Sequence, residues 1–534
     1  MTGWNIADVL EVVAREVPDA PAVTQGDRLI TWHELDDRSA RLAGFLAARG
    51  HQPHEHVAQY LRNCPEYLES LVATIKAAMV PVNTNYRYGP DELTYLWDNA
   101  DATAVVFHGA YTDMVEETRA RVSRVHTWLW VDDGTSPCPD WATPYEQAVT
   151  YAGPPSTHAR SGDDLILLYT GGTTGMPKGV MWRQDDLFMV LGAATSGRYG
   201  DEQDLDFAAT RVARPGRVHL PAAPLMHGAG CFTCIPFLAR GGSIALLESA
   251  SFDAVELLDT VERRAVTSVS WVGEVFARPV LDALRAEPDR WDLSSWRTVT
   301  SGGMVFTEET KRGLAALLPD LVIADVYGSS EVLSAARSVS SSGGGLQRPG
   351  TFRASTAVTV LGEDHTPLSP GAPEPGLLAF GGRQPLGYWK DESKSAATFR
   401  VVEGRRWAIP GDLATLAEDG TITLIGRGST CINTGGEKVF PEEVEDAVRR
   451  FPEVVDVVVI GIPDDRFGEQ VAAVVQATPG VELDAEALRK HVASLLARYK
   501  APRHIVQVDL VPRGPNGKPD LPTAKAMLDH EAIR

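Results

Sequence analysis

Apolar residues at Ile6, Val9, Leu10, Val13 and Val17 recur every three or four positions, the spacing that turns one helix face toward a core, and Pro18 ends the run. In AVTQGDRLITW the pattern shortens on either side of Gly26-Asp27, which predicts two short strands around a tight turn. Thr31 and Glu34 then have capping-box spacing and open a helix that Gly50 closes. PEYLESLVATIKAAM and DELTYLWDNA read as further helices, VPVN as extended chain and AVVF as a buried strand. Past the middle of the chain, IALLES, TSVSWV, TVTSGG and VIADVYG are short apolar runs of strand type, with the helical SFDAVELLDTVERRA among them. Such alternation predicts α/β layers built on parallel strands.

From about residue 430 the texture changes to a compact α+β unit: helix (PEEVEDAVRRF), strand (VVDVVVIGI), strand (QVAAVVQA), helix (DAEALRKHVASLLARY), strand (HIVQVDL). The junction before it, DGTITLIGRGSTCINTGGEK, is rich in Gly, Ser and Thr, as an interdomain hinge would be. SSSGGGLQRPG at 340 to 350 reads as a flexible surface segment. A chain of 534 residues exceeds what one core organises. The predicted fold class is therefore α/β, a large multi-layered N-terminal α/β domain followed by a smaller α+β C-terminal domain.

Composition narrows the function classes. A net charge of −21 argues against a nucleic-acid partner, because a polyanion is bound through Lys and Arg, so a phosphate ligand has to be held locally. No apolar run is long enough for a transmembrane segment, and the amphipathic start differs from a signal peptide, which predicts a cytoplasmic protein. The five cysteines (Cys64, Cys138, Cys231, Cys234, Cys431) are scattered as reduced thiols would be. Cys231 and Cys234 form C-x-x-C without partners for a zinc site and read as small buried hydrophobes, while His51, His54 and His56 read as a solvated turn after Gly50.

Residues 169 to 180, YTGGTTGMPKGV, follow the apolar strand Leu165–Tyr169 and read as a loop at its carboxyl end. Glycines let a backbone approach an anion closely, threonine hydroxyls add donors, and Lys178 adds a compact positive charge. The P-loop pattern G-x-x-x-x-G-K-[ST] does not fit, since Lys178 lies three residues after Gly175 and is followed by Gly179. A different phosphate loop is implied.

YTGGTTGMPKG resembles the phosphate loop of the adenylate-forming enzymes, which include acyl-CoA synthetases, aryl-CoA ligases, luciferases and nonribosomal adenylation domains. VPVNTNY (80 to 86), PLMHGAG (224 to 230), SGG (301 to 303), YGSSE (327 to 331), PGD (410 to 412), GRGSTCINTGGEKVFPEEVE (426 to 445) and PNGK (515 to 518) match the family in order, so the resemblance spans nearly the whole chain. LGYWKDESKSAATF and the lack of a carrier-protein domain are most similar to stand-alone acyl-CoA synthetases of the actinobacterial fatty-acid and steroid-side-chain type.

The resemblance implies a two-step reaction: a carboxylate attacks the α-phosphorus of ATP, giving acyl-AMP and pyrophosphate, and the CoA thiol then displaces AMP. It implies that Thr170, Gly171, Gly172, Thr173, Thr174, Gly175 and Lys178 hold the β- and γ-phosphates and that Glu331 ligates Mg²⁺. Tyr327 would stack on adenine, with Gly302, Gly303, Gly328 and Ser329 beside the nucleotide, and Ser330 would reach the α-phosphate from a position where threonine is usual. Asp412 would accept from the ribose hydroxyls, Arg427 would reach ribose and phosphate, and Lys518 would contact the α-phosphate and carboxylate during adenylation.

By the same resemblance His227 borders the acyl carboxylate, the acyl pocket draws on Gly228, Trp271, Gly273 and Met304, and Gly435 and Gly436 line the path of CoA. The domains implied are 1–426, a hinge at 427–430 and a mobile lid at 431–534. Gly428 and Ser429 stand where the family usually has a charged pivot. Transfer to a carrier protein, a luciferase-like oxygenase and a non-enzymatic adenylate-binding regulator are the alternatives, and a homodimer is left open.

Overall fold

The computed structural model describes residues 3–531 except 173–174, 194–198, 305, 342–349, 354–356, 428–431, 435–436, 465–467, 497 and 515–516. The chain divides into two compact units, Met1–Pro349 with Gly381–Phe399, and Gly350–Phe380 with Arg400–Arg534. Among the described residues no helix is long and apolar enough to cross a membrane.

Two sheets organise the first unit. One has eight strands in the order Val332–Ser340, Val322–Ser329, Thr298–Gly302, Ser268–Trp271, Val218–Pro221, Ser243–Leu246, Pro21–Gln25, Arg28–Thr31, antiparallel only at its two edges. The other runs Thr143–Pro144, Thr127–Val131, Ala102–His108, His56–Tyr60, Val80–Asn83, Leu165–Gly172, Gly175–Arg183, parallel until its last pair. Helices cover such sheets, so the interior strands Val218–Pro221, Ser243–Leu246 and Ser268–Trp271 are almost wholly buried.

Local chemistry sets the helix ends. Asn5 caps Ile6–Glu16 by accepting from Ala7 N, and Thr31 with Glu34 forms the expected capping box on Trp32–Ala48. Asp253 caps Ala254–Arg264, which stops at Ala265 in the left-handed conformation. Leu257, Leu258 and Val261 of that helix join Trp271, Trp296 and Phe306 in one core.

The second unit has two sheets. Thr351–Arg353, Thr421–Arg427, Asp412–Leu416, Gly376–Phe380, Arg405–Ala408 and Phe399–Val402 follow one another in the first, with Val358–Leu361 paired to Gly376–Phe380. In the second, Val454–Asp464 pairs antiparallel with Gly468–Ala477, which also carries His504–Val508 in parallel. Helices Pro441–Arg449 and Ala485–Leu495 pack on this sheet through Val444, Val448, Leu488 and Val492.

Two local expectations are corrected. The described part of the glycine-rich stretch is strand, not open loop: Leu165–Gly172 and Gly175–Arg183, on either side of 173–174, pair antiparallel. The histidines after Gly50 are not a solvated turn either, since only His54 is exposed. His51 is buried and bonded to Glu55, Thr103 and Thr127, and His56 bonds the carbonyl of Ala100. The segment 342–349 lies outside the described residues, and the preceding Ser340 ends a strand.

Candidate active site

Strand pairing places Tyr169 opposite Gly179 and Thr170 opposite Lys178. Glycine is needed at 179, where a Cβ would lie 2.6 Å from the Tyr169 ring. That ring is fixed by its hydroxyl, held above the usual phenol range by burial and donating to Asn99 Oδ1 at 2.7 Å. Gly171, Gly172 and Gly175 belong to the two strands, while Thr173 and Thr174 lie outside the described residues. Lys178 Nζ stands 3.7 Å from Asp391 Oδ2 and 5.8 Å from the centre of the Tyr388 ring.

Tyr327, Gly328 and Ser329 end the strand Val322–Ser329, and Ser330 and Glu331 form the turn into Val332–Ser340. Trp182, on the same strand as Lys178, donates its indole N–H to the Ser330 carbonyl at 2.9 Å. The Tyr388 hydroxyl donates to Glu331 Oε1 at 2.7 Å. Lys178 and Glu331, from different sheets, thus meet on the same tyrosine. Alongside, Gly302 pairs with Val326, whose carbonyl would lie 2.9 Å from a Cβ at 302, and Gly303 has φ 84°.

His227 is the residue before helix Gly228–Leu238, and its carbonyl accepts from Cys231 N at 2.9 Å. Asn83 ties this helix start to the hairpin: Nδ2 donates to the carbonyls of Tyr169 at 2.8 Å and Met226 at 2.7 Å, and Oδ1 accepts from Tyr169 N at 2.6 Å. Gly228 sits close against Leu168. The Trp271 ring is buried against Trp296 and Phe306, at 5.9 Å from each, within the helix-covered core. Gly273 has φ 60° and ψ −152° and donates to Ser301 Oγ at 3.0 Å, and Met304 is half-buried.

Beneath the helix start, burial pushes the Cys231 thiol up to about 12 and the His219 imidazole down to about 3, so both are neutral and structural at physiological pH. Cys231 and Cys234 are buried hydrophobes, as expected.

In the second unit Asp412 is buried and is the ladder partner of Arg427. Lys518 is exposed on a turn closed by Gly514 N on its carbonyl at 2.7 Å. Gly428, Ser429, Gly435 and Gly436 lie outside the described residues.

Sequence reasoning missed the connecting residues. VPVNTNY and LGYWKDESKSAATF mark Asn83, Tyr388 and Asp391 only as members of motifs, and Trp182 carries no signal of its own. Among the described residues no group of three or more His, Cys, Asp or Glu side chains could hold a metal ion. A cation at Glu331 would rest on that carboxylate and on phosphate oxygens, a donor set that suits Mg²⁺.

The family model described as AMP-binding enzyme matches residues 10–389, and AMP-binding enzyme C-terminal domain matches 443–518. The medium/long-chain-fatty-acid–CoA/3-oxocholest-4-en-26-oate–CoA ligase of Mycobacterium tuberculosis is 40% identical over 532 residues, covering 98% of this chain and 96% of that protein. The 3-oxocholest-4-en-26-oate–CoA ligase of Rhodococcus rhodochrous is 37% identical, with 98% and 95% covered. The anthranilate CoA ligase AuaEII in complex with anthranoyl-AMP shares the fold with a TM-score of 0.82 at 21% identity, over 100% of this chain and 99% of that one. ATP-bound MatB from Rhodopseudomonas palustris gives 0.77 at 26%, over 97% and 98%.

Proposed function

The chain belongs to the AMP-binding enzyme family, and from that premise we propose that it is an ATP-dependent acyl-CoA synthetase acting on hydrophobic carboxylic acids, fatty acids or steroid side-chain acids. The carboxylate oxygen attacks the α-phosphorus and pyrophosphate leaves. The CoA sulfur then attacks the acyl carbon and AMP leaves with the bonding pair.

What supports this reading is the meeting of Lys178 and Glu331 on Tyr388 beside a glycine-lined hairpin. Two anions have to approach one another in the first step, so the work is positioning and charge cancellation. Lys178 and the residues Thr170 to Gly175 hold the β- and γ-phosphates. Glu331 would hold Mg²⁺, which neutralises phosphate charge when bound. Tyr327 stacks on adenine against the bare backbone of Gly302 and Gly303, with Gly328, Ser329 and Ser330 along the phosphate side.

Asp412 and Arg427 hold the ribose, and Lys518 balances charge at the α-phosphate. His227 gates the carboxylate end of a pocket to which Gly228, Gly273 and Met304 contribute. Residues 427–430, with Gly428 and Ser429, are the hinge on which 431–534 turns to bring Gly435 and Gly436 to CoA. The decisive experiment is a panel of carboxylic acids assayed for AMP and pyrophosphate with and without CoA. Acyl-CoA formation from hydrophobic acids is expected, and turnover indifferent to CoA would overturn the reading.

A further inference from the structure

We propose that Tyr388 is a positioning residue of the phosphate site, its hydroxyl fixing the direction of the Glu331 carboxylate while its ring lies under Lys178. The inference rests on the reading of Glu331 as the residue that holds Mg²⁺ and adds the group that aims it.

The backbone around Tyr388 is pinned to the strand that carries Lys178. Leu386 N donates to the Met181 carbonyl at 2.8 Å, Met181 N to Gly387 O at 2.9 Å and Trp389 N to Gly179 O at 2.8 Å, with Tyr388 itself bridged to Val180. Its own N–H goes to Ser395 Oγ at 2.8 Å. Tyr388 is buried, at 6% exposure, and its hydroxyl, 2.7 Å from Glu331 Oε1, donates a charge-assisted bond. Glu331 itself sits on a hairpin turn, where the backbone alone fixes a carboxylate poorly. The tyrosine therefore carries the rigidity of one sheet to a carboxylate borne by another.

The same ring explains the poise of Lys178. At 3.7 Å the contact with Asp391 Oδ2 is an ion pair too long to be a hydrogen bond, and the lysine side chain is 37% exposed. Asp391 Oδ1 is meanwhile committed to capping helix Glu392–Thr398 through Lys394 N at 2.9 Å. Lys178 is thus held near its place by a loose ion pair and an aromatic face, both of which a phosphate can outcompete. A tyrosine in this position serves both charges that the phosphates must meet.

Tyr388→Phe keeps the ring and the packing and removes only the hydroxyl. ATP binding to the full chain is measured by calorimetry with and without Mg²⁺, alongside Glu331→Gln and the thermal midpoint of each variant. The expected result is that Tyr388→Phe binds ATP normally without Mg²⁺ and loses about 10-fold of the Mg²⁺-dependent gain, as removal of a partner that orients a metal ligand does. Glu331→Gln should lose at least as much. If Glu331→Gln loses the gain and Tyr388→Phe retains it, the proposal is overturned while the reading of Glu331 stands. If neither loses it, the reading of Glu331 fails and the proposal with it. A lowered thermal midpoint with the Mg²⁺ gain intact assigns Tyr388 a packing role and also overturns the proposal.

Discussion

Arg513 closes a two-pronged ion pair on Asp456, Nε to Oδ2 at 2.5 Å and Nη2 to Oδ1 at 2.7 Å, and its Nη1 donates to the Gly517 carbonyl at 3.0 Å. Gly517 is the residue before Lys518. A guanidinium fork anchored on the strand Val454–Asp464 therefore sets the turn from which Lys518 projects. Lys518→Ala should slow acyl-AMP synthesis by about 10²-fold or more, the scale of one preorganised charge contact. Arg513→Met should slow the same step by about 10-fold, since it loosens the lysine without removing it. Both variants, supplied with preformed acyl-AMP, should still make acyl-CoA at a substantial rate. Equal loss in the two half-reactions would show that Lys518 does not serve adenylation specifically.

A proline at the pivot gives the next test. Ser429→Pro would fix φ at the proposed hinge, so acyl-AMP should accumulate on the enzyme while transfer to CoA stalls. Single-turnover transfer at the normal rate would move the pivot away from 428–429.

Burial of histidines predicts the pH dependence of stability. His219 is packed flat on Phe237 at 4.3 Å, with Ser268 and Thr233 on its ring nitrogens, and burial lowers its pKa from 6.5 to about 3. Between those values the unfolded chain takes up a proton that the folded chain refuses. The stability contribution is complete above about pH 6.5 and is lost as pH falls toward 3, at about 1.4 kcal/mol per pH unit. His51, His56 and His108 are lowered by the same cause. Denaturation midpoints measured from pH 7.0 down to about 5.5 should fall, and His219→Gln should flatten that slope; an unchanged slope would show that His219 accepts a proton in the folded state.

These outcomes depend on features that the sequence discloses unevenly. The Thr31–Glu34 capping box is legible because donor and acceptor lie within three residues, and the helix Ala254–Arg264 because its apolar positions recur at helical spacing. YTGGTTGMPKGV reads as a loop because its composition is that of a turn, whereas its strands are held by pairing and by Tyr169 lying on Gly179. His51 looks solvated beside Gly50 and Pro53, and its partners Thr103 and Thr127 arrive from strands far along the chain. Asn83 and Tyr388 are of the same kind. Their motifs are visible, but their function lies in contacts to Met226 and Glu331 that no local pattern encodes.

Asn83 yields a prediction of its own. Its side chain bonds both Tyr169 and Met226, so Asn83→Ala removes the tie between the hairpin that carries Lys178 and the start of the helix behind His227. Leaving buried carbonyls unpaired costs about 1–3 kcal/mol, which a thermal midpoint will register. KM for ATP and for the acid should rise together. A rise in only one of them would show that the two sites are positioned independently.

The acid itself is the last test. The segments around the residues assigned to the pocket by resemblance, Met226 to Phe232, Trp271 to Phe276 and Ser301 to Val305, contain no Lys or Arg to pair with a second carboxylate. Trp271 turns its ring into the core, which leaves small residues such as Gly228 and Ala229 on the helix start that follows His227. A bulky hydrophobic monocarboxylate should therefore outrank acetate, because each buried CH₂ contributes about 0.8 kcal/mol. Gly273 is a poor place to probe the pocket, since φ 60° with ψ −152° is open to glycine alone and any side chain there would strain the start of helix Glu274–Ala286. Met304→Trp is the better variant: it should shift kcat/KM toward shorter acids and leave KM for ATP unchanged. A wild-type preference for acetate or a dicarboxylate, or a Met304→Trp enzyme with its chain-length profile intact, would place the acyl group elsewhere.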